Sequence, residues 1–161
     1  SSSEENGSTV KKEILASPLS GKVIPLSEVT DAAFSSGVLG KGVAILPDKG
    51  EVKAPADGTI QAIFPTKHAI GMVTENGVEL LIHIGMNTVQ LEGEGFTSRI
   101  SEGIKVKKGD VLVTFDKALI EGKGYSLETP VLITNADDIV EIVETENTFV
   151  ESGDVLLTAI F

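Results

Sequence analysis

The sequence contains neither cysteine nor tryptophan among its 161 residues. Without cysteine, disulfide bridges, thiolate catalysis and cysteine-based zinc sites are excluded, and the composition fits a reducing compartment. Basic residues are scarce as well, because 13 Lys and Arg face 24 Asp and Glu, for a formal net charge of -11. Since such a surface repels a phosphate backbone, we predict no binding to nucleic acid. The same charge would steer a partner with a basic face towards the protein.

Long apolar runs are also missing from the sequence. The longest fall far short of the roughly 20 residues that a transmembrane helix needs, so we predict no direct membrane insertion. Residues 1–13 are rich in serine and charge, and we interpret them as a flexible tail or an interdomain linker, which favours fusion to a larger protein. Residues 14–161 are long enough for one domain with its own core.

The rest of the chain consists of short β-type runs separated by Gly, Pro, Asn and Asp. This pattern predicts an all-β fold, an antiparallel β-sandwich or barrel-like single domain with short helical turns. The predicted helical turns are residues 31–35 and 117–121. The predicted strands are residues 22–26, 42–46, 59–64, 78–84, 111–115, 130–134, 140–144 and 155–161.

Two pairs of similar sequence segments indicate a repeated architecture. Residues 17–23 (SPLSGKV) resemble residues 54–60 (APADGTI), and residues 106–112 (VKKGDVL) recur as residues 150–156 (VESGDVL). Each is a tight turn that leads into a strand, where Gly supplies backbone freedom and Asp hydrogen-bonds the turn. The alternative is independent reuse of favourable turn chemistry, but we predict a pseudo-repeated β architecture.

The chain has only two histidines, His68 and His83. In residues 78–84 every even-numbered position is apolar, so a strand here would bury those positions in the core. Alternation then places His83 on the opposite face, beside Glu79 and Leu81.

A hairpin would bring the second histidine, His68, to the same place. The dipeptide Asn76-Gly77, between residues 68–73 and 78–84, is a strong hairpin signal. A loop of two or four residues would set both histidines on one face, with Cβ atoms about 5 to 7 Å apart. A three-residue loop would set them on opposite faces. We predict that the histidines meet, which requires an even-length loop, and that they form a functional site.

The residues themselves leave several kinds of chemistry open at this site. Paired imidazoles could bind zinc, although three protein ligands are usual and no third is spaced to help. A Ser-His-Asp hydrolase would require a nucleophile elbow that the sequence lacks. Phosphoryl transfer through Nε2 of a histidine requires a neutral nucleophilic nitrogen, a second donor for the phosphoryl oxygens and exclusion of water. His68 and Thr66 could be donors, and Leu81 could form part of a dry rim.

Several motifs carry a resemblance to a known family. They are residues 17–21 (SPLSG), 64–69 (FPTKHA), 78–85 (VELLIHIG), 91–96 (LEGEGF) and 129–131 (TPV). With them, the chain from about residue 14 to its end is similar to the glucose-family enzyme IIA of the bacterial phosphotransferase system. The resemblance implies an antiparallel β-sandwich with a shallow active-site depression. It also implies a monomeric cytoplasmic domain, tethered to the inner face of the membrane where it is fused to the IIBC transporter.

The resemblance implies a phosphotransferase that requires no cofactor and no metal. His83 would accept phosphate on Nε2 from the carrier protein HPr and pass it to a cysteine of enzyme IIB, which phosphorylates the sugar entering through the membrane domain IIC. His68 matches a second histidine that stabilises the phosphate and donates a proton, and Thr66 matches a residue in its hydrogen-bond network. The implied partner-binding residues are Phe34, Val38, Leu39, Phe64 and Leu81, flanked by Asp31 and Asn87.

Two positions depart from the family pattern, and two other functions remain open. Asn87 stands where some relatives carry an acidic residue, and residues 40–42 read Gly-Lys-Gly in place of Gly-Asp-Gly. Regulatory contacts of the family are therefore not carried over. Lys117 could be the modified lysine of a lipoyl- or biotinyl-like swinging-arm carrier, although such domains are shorter. A purely structural scaffold would leave the histidine pair without a role.

Overall fold

The computed structural model describes residues 11–161, and the secondary structure of this range is mostly β. The strands are β1 (Lys12–Ala16), β2 (Gly21–Pro25), β3 (Lys41–Pro47), β4 (Glu51–Lys53), β5 (Gly58–Ile63), β6 (Ala69–Thr74), β7 (Glu79–His83), β8 (Phe96–Thr97), β9 (Lys105–Val106), β10 (Val111–Phe115), β11 (Thr129–Ile133), β12 (Glu141–Glu144), β13 (Phe149–Val150) and β14 (Val155–Ile160). The helices are α1 (Ala32–Ser35) and α2 (Lys117–Gly122), with short 3-10 turns at Leu26–Glu28, Thr88–Leu91 and Ala136–Asp138. None of these helices is both long and apolar enough to span a bilayer.

The described strands pair in antiparallel sheets. An 8-stranded sheet has the order β9-β5-β6-β7-β11-β3-β2-β13, and two 3-stranded sheets have the orders β4-β10-β8 and β12-β14-β1. The predicted all-β sandwich with short helical turns is confirmed. β7 and β11 are neighbours at the centre of the large sheet, so β7 is paired on both sides up to Ile82, and its last residue, His83, is paired with Ala69 of β6.

The ends of the predicted strands lie within one residue of the observed ends. Alternating apolar residues bounded by Gly, Pro and Asp mark these strands well. The sequence pattern does not predict β1, whose first two residues, Lys12 and Glu13, are charged. It also does not predict the short strands β4, β8, β9 and β13, because two or three residues are too few to show an alternation. Each of these short strands extends a sheet edge and depends on its neighbour for hydrogen bonds.

The domain begins two residues earlier than the sequence indicates. Lys12 pairs with Ile160, and Glu13 pairs with Ala159, so both belong to β1. The predicted tail of residues 1–13 is therefore too long, because backbone pairing in an edge strand does not require apolar side chains. The remainder of that tail, up to residue 10, lies outside the described residues.

The predicted repeat is present in the backbone. The N–H of Ser17 donates to the carbonyl of Asp154 at 2.6 Å, and the N–H of Ala54 donates to the carbonyl of Asp110 at 2.8 Å. The ladders β1–β14 and β4–β10 each contain a register shift next to these bonds. The large sheet has matching two-residue strands, β9 and β13, at its two edges. The two halves therefore share one β unit, and the pseudo-repeated architecture is confirmed.

Buried apolar side chains form two clusters on opposite faces of the large sheet. The larger cluster includes Leu80 and Ile82 of β7 and fills the space between the sheets. The smaller cluster includes Phe34 of α1 and Leu132 of β11, and Leu81 packs against it. The chain between β2 and β3 supplies α1 as the cover of this second face, and this is the face on which the histidines lie.

Candidate functional site

His83 is the last residue of β7 and lies on the face opposite the larger core. Leu80 and Ile82 are buried in that core, whereas Leu81 packs against the smaller cluster. Strand alternation puts His83 on the same face as Leu81, and its backbone pairs with Ala69 of β6. The orientation predicted from the apolar pattern is confirmed.

His68 reaches the same place by a route that the sequence does not predict. The β6–β7 hairpin closes with the N–H of Thr74 donating to the carbonyl of Val78 at 2.9 Å. Its loop therefore has three residues, 75–77, and the expectation of an even-length loop is wrong. The rings of His68 and His83 nevertheless meet edge-on, with centroids 4.9 Å apart and an interplanar angle of 84°.

The turn before β6 explains this outcome. Lys67 has a φ of 63°, in the left-handed region that non-glycine residues rarely adopt. Its N–H donates to the carbonyl of Phe64 at 2.7 Å. β6 begins only at Ala69, so His68 lies in the turn, although its carbonyl still accepts from the N–H of Ile84 at 2.7 Å. Its side chain does not follow the alternation of the strand, because its ring meets that of His83. The turn, rather than the register of the hairpin, directs His68 towards its partner.

The imidazole of His83 is held by the backbone just beyond its strand. Nδ1 lies 2.8 Å from the carbonyl oxygen of Gly85, so Nδ1 carries the proton and donates it, which leaves the Nε2 lone pair free. Gly85 has a φ of 77°, and a Cβ there would lie 2.8 Å from the carbonyl oxygen of Ser126 and 2.6 Å from Cγ2 of Thr88. Only glycine fits this turn. From the sequence we predict no role for Gly85. The feature that could have indicated one is a glycine two residues after a histidine at the end of a strand.

The second imidazole, that of His68, is enclosed. His68 is 2% exposed, and its Nδ1 lies 2.6 Å from Oγ1 of Thr66. When the threonine hydroxyl donates to Nδ1, the ring proton resides on Nε2 and is available as a donor. The ring of Phe64 meets His68 edge-on, with centroids 5.3 Å apart. Thr66 therefore contacts His68, as the sequence led us to expect.

Both imidazoles are neutral near pH 7. Burial, and then the proximity of His83, lower the pKa of His68 from 6.5 to about 4. Burial also lowers the pKa of His83, while the hydrogen bond to Gly85 and the charge of Asp31 act in the opposite direction. A neutral imidazole with a free lone pair is the form that acts as a nucleophile.

Two aromatic side chains contact the histidine pair, Phe34 at His83 and Phe64 at His68, but not all of the predicted apolar residues are accessible. Phe34 packs on His83 with ring centroids 4.8 Å apart, and it is only 6% exposed. Leu81 is half-buried against the smaller cluster. These two residues therefore offer less docking surface than the sequence led us to expect. The exposed residues of the predicted set, called the apolar patch below, are Val38, Leu39 and Phe64.

The two predicted flanking residues lie at the starts of short helical elements. Asp31 caps α1, where its Oδ1 accepts a hydrogen bond from the N–H of Ala33 at 2.8 Å. Asn87 is exposed, has a left-handed φ of 60° and precedes the 3-10 turn Thr88–Leu91. Asparagine adopts this conformation more readily than most residues do. Of the two, Asp31 acts on the pKa of His83.

The zinc site and the swinging-arm lysine considered in the sequence analysis each require a specific geometry. Within residues 11–161, no three or more His, Asp or Glu side chains are grouped so that they could hold a metal ion. Lys117 is the first residue of α2, and its Nζ lies 3.9 Å from Oε1 of Glu121 in the next helical turn. A swinging-arm lysine requires the tip of an exposed hairpin, so the position of Lys117 does not suit that role.

The sequence matches a family model over residues 13–139. The family is described as phosphoenolpyruvate-dependent sugar phosphotransferase system, EIIA 1. The matched range includes both histidines, the residues of the apolar patch, and Gly85.

Two similar proteins are beta-glucoside-specific EIIBCA components of such a system. The one from Halalkalibacterium halodurans is 47% identical over 149 residues, which are 92% of this chain and 23% of that protein. The one from Bacillus subtilis is 54% identical over 126 residues, which are 78% of this chain and 21% of that protein. The chain thus spans less than a quarter of the length of these relatives.

A solved structure has the same fold as this chain. The glucose permease IIA from Mycoplasma capricolum is 38% identical to it, with a TM-score of 0.86. The similarity covers 92% of this chain and 96% of that chain.

Proposed function

Because the chain belongs to the EIIA 1 family of the phosphoenolpyruvate-dependent sugar phosphotransferase system, we propose that His83 carries the phosphoryl group of this system. Nε2 of His83 accepts the group from phospho-HPr and passes it to a cysteine of enzyme IIB. The observation that carries this assignment is the hydrogen bond between Nδ1 of His83 and the carbonyl of Gly85. It holds the ring proton on Nδ1 and leaves Nε2 as the nucleophilic atom.

In the first step the lone pair of Nε2 attacks phosphorus, and the bond between phosphorus and the histidine of HPr breaks. Because Nδ1 keeps its proton against Gly85, the phosphorylated ring carries positive charge. The N–H on Nε2 of His68 donates to a phosphoryl oxygen, which positions the group and offsets part of its negative charge. Thr66 supports this by keeping Nδ1 of His68 as an acceptor.

In the second step a thiolate of enzyme IIB attacks phosphorus, and the bond to Nε2 of His83 breaks. His83 departs as a neutral imidazole, since the proton on Nδ1 never left. The negative charge of the phosphoryl group beside His68 raises the pKa of that imidazole while the group is bound. His68 can then carry a second ring proton, so that it donates a hydrogen bond to the phosphoryl oxygens and its positive charge offsets their negative charge during transfer.

The apolar patch is the proposed docking surface for both partners. One histidine must be reached first by HPr and then by enzyme IIB, so the same surface serves each in turn. Exposed apolar residues beside a partly enclosed site provide a contact that excludes water when a partner docks. The relatives combine EIIB, EIIC and EIIA in one protein. We therefore propose that this domain works beside IIB and IIC on the cytoplasmic side of a membrane, and sugar selection would lie in IIC.

The direct test is phosphorylation from phosphoenolpyruvate in the presence of HPr and its phosphorylating enzyme. The proposal expects one phosphate per chain, labile in acid and stable in alkali, located on His83 by peptide mass spectrometry. A chain that acquires phosphate without HPr, or at a residue other than His83, contradicts it. Co-expression with a lipoyl ligase tests the swinging-arm alternative, which requires a mass increase at Lys117.

A further inference from the structure

The chain between β2 and β3, residues 26–40 and here called the α1 segment, brings several site residues to His83 but has few polar contacts with the rest of the protein. The described hydrogen bonds that leave this segment are two, and both run from Thr30 to Oε1 of Glu128. The N–H of Thr30 donates at 3.2 Å, and its hydroxyl donates at 3.0 Å. Its other described hydrogen bonds stay within the segment.

The α1 segment cannot hold its position by helix formation alone. α1 has 4 residues, and a helix of about one turn is unstable in isolation because nucleation is costly. Val29 and Phe34 are buried in the smaller cluster, but apolar contact is non-directional and does not fix the orientation of the segment. A directional contact is needed to set where Asp31 and Phe34 lie relative to His83.

Glu128 is well placed to provide that contact. It directly precedes Thr129, which is fully buried and begins β11 at the centre of the large sheet. Its own N–H donates to Oγ of Ser126 at 3.1 Å. The carbonyl of Ser126 accepts from the N–H of Met86 at 2.9 Å. Residues 126–128 thus connect the α1 segment to the turn that holds Nδ1 of His83.

We propose that Glu128 is a positioning residue, which fixes the α1 segment, and with it Phe34 and Asp31, against the imidazole of His83. One carboxylate oxygen accepts both hydrogen bonds from Thr30, and hydrogen bonds to a charged acceptor are stronger than neutral ones. Glu128 need not touch the phosphoryl group or a partner. The kinetic part of this inference rests on the proposed function, whereas the structural part does not.

The test compares two substitutions that remove the same charge. Glu128→Gln keeps an oxygen that accepts from Thr30, and Glu128→Ala removes it. Glu102→Ala, at an exposed residue outside the site, is the control for loss of a surface carboxylate. NMR spectroscopy on each full chain measures hydrogen exchange of the Thr30 amide and the contact between the Phe34 and His83 rings.

We expect Glu128→Ala to speed exchange of the Thr30 amide by about three- to tenfold, the worth of one hydrogen bond, and to weaken the contact between Phe34 and His83. The pKa of His83 should fall further in Glu128→Ala than in Glu128→Gln, because only the alanine variant lets the Asp31 carboxylate move away. In Glu128→Ala the rate of phosphate acceptance from phospho-HPr should fall by roughly the same three- to tenfold. In Glu128→Gln the exchange of the Thr30 amide, the contact between Phe34 and His83, the pKa of His83 and the rate of phosphate acceptance should all stay close to the wild-type values. Glu102→Ala should match the wild type in all four measurements.

Unchanged Thr30 exchange and ring contact in Glu128→Ala would overturn the inference, as would equal losses in the Gln and Ala variants. These NMR outcomes decide the positioning role even if the wild-type chain is never phosphorylated. Failure of the wild type to accept phosphate would contradict the proposed function alone. A thermal melt confirms that each variant is folded at the temperature of measurement.

Discussion

His68 and His83 meet edge-on with their ring centroids 4.9 Å apart, although they come from elements whose strand register would separate them. One ring is buried and is hydrogen-bonded through Nδ1 to Thr66, and the other is hydrogen-bonded through Nδ1 to the carbonyl of Gly85. In each ring Nδ1 is therefore hydrogen-bonded to the protein, and Nε2 is left to interact with the phosphoryl group. The two histidines are equivalent in type but differ in burial, and this difference leads to separable predictions.

Replacing His83 with alanine should abolish phosphate acceptance. The substitution removes the nucleophilic nitrogen, and His68 cannot replace it, because that ring is 2% exposed and is held through Nδ1 by Thr66. The cost in the free energy of unfolding should be about 1 kcal/mol, since one hydrogen bond and the contacts with Phe34 and His68 are lost outside the larger core. Intact mass after incubation with phospho-HPr and chemical denaturation measure the two effects. A variant that is phosphorylated to the wild-type level would remove His83 as the carrier.

His68→Gln should separate the two half-reactions. The amide can still donate a hydrogen bond to the phosphoryl group, so acceptance from phospho-HPr should slow only modestly. It cannot take up a proton and become positively charged beside the phosphoryl oxygens, so transfer to enzyme IIB should slow by roughly 10²- to 10³-fold, the usual effect of losing one electrostatic stabiliser of the transition state. The two steps are measured separately with purified partners. Equal slowing of both would show that His68 only positions the phosphate.

The stability of the fold should decrease in acid because of His68. The pKa of His68 is about 4 in the folded protein, against an ordinary value of 6.5 for a solvated histidine, so between these pH values the unfolded chain binds more protons. The contribution of neutral His68 to the free energy of unfolding is therefore complete above pH 6.5. It is lost as the pH drops towards 4, and for a shift of this size the loss is about 3 kcal/mol.

Comparison with His68→Gln isolates this contribution from that of the carboxylates. Chemical denaturation at pH 7 and at pH 4.5 gives the free energy of unfolding of both proteins. The wild type should lose more stability than the variant over this interval. Parallel losses would mean that His68 is solvated and titrates as it does in a peptide.

A charge in the apolar patch should weaken docking. Val38 is 77% exposed, so Val38→Glu should leave the fold unchanged, while on docking the new carboxylate must lose its water without a counter-charge. We expect the KM for phospho-HPr, and that for enzyme IIB, to rise about tenfold. Val140 is 80% exposed, and Val140→Glu is the matched control with the same change in charge. Equal effects of both substitutions would show that net charge, not the patch, governs docking.

Gly85→Ala should destabilise the protein and disturb the tautomer of His83. The added Cβ would overlap both the carbonyl of Ser126 and the side chain of Thr88, and the φ of 77° adds backbone strain. We expect a loss of roughly 2 to 4 kcal/mol in the free energy of unfolding. At Gly124, which has a φ of 91° and open space around its Cβ position, the strain alone should cost about 1 to 2 kcal/mol. ¹⁵N chemical shifts of the His83 ring report the tautomer, and equal costs at both glycines would contradict this account.

The sequence by itself determined the fold class and the orientation of His83. Alternating apolar residues specify which face of a strand is buried, and β7 obeys that rule because it is paired on both sides. The same local signals marked the longer strands other than β1, both helical turns and the repeated turns at Ser17 and Ala54. They also carried the family resemblance that the comparisons confirm.

Only the tertiary structure decided how the site is completed. Because the backbone of Lys67 is left-handed, the side chain of His68 does not follow the alternation of β6. No residue pattern predicts such a φ at a lysine. Removal from solvent, complete for His68 and partial for His83, lowers the pKa of both rings and keeps them neutral. How far each ring is covered depends on what packs over it rather than on its sequence neighbours. Glu128 contacts Thr30 across 98 positions of the chain. A contact of that separation exists only once the central strands have brought the two segments together.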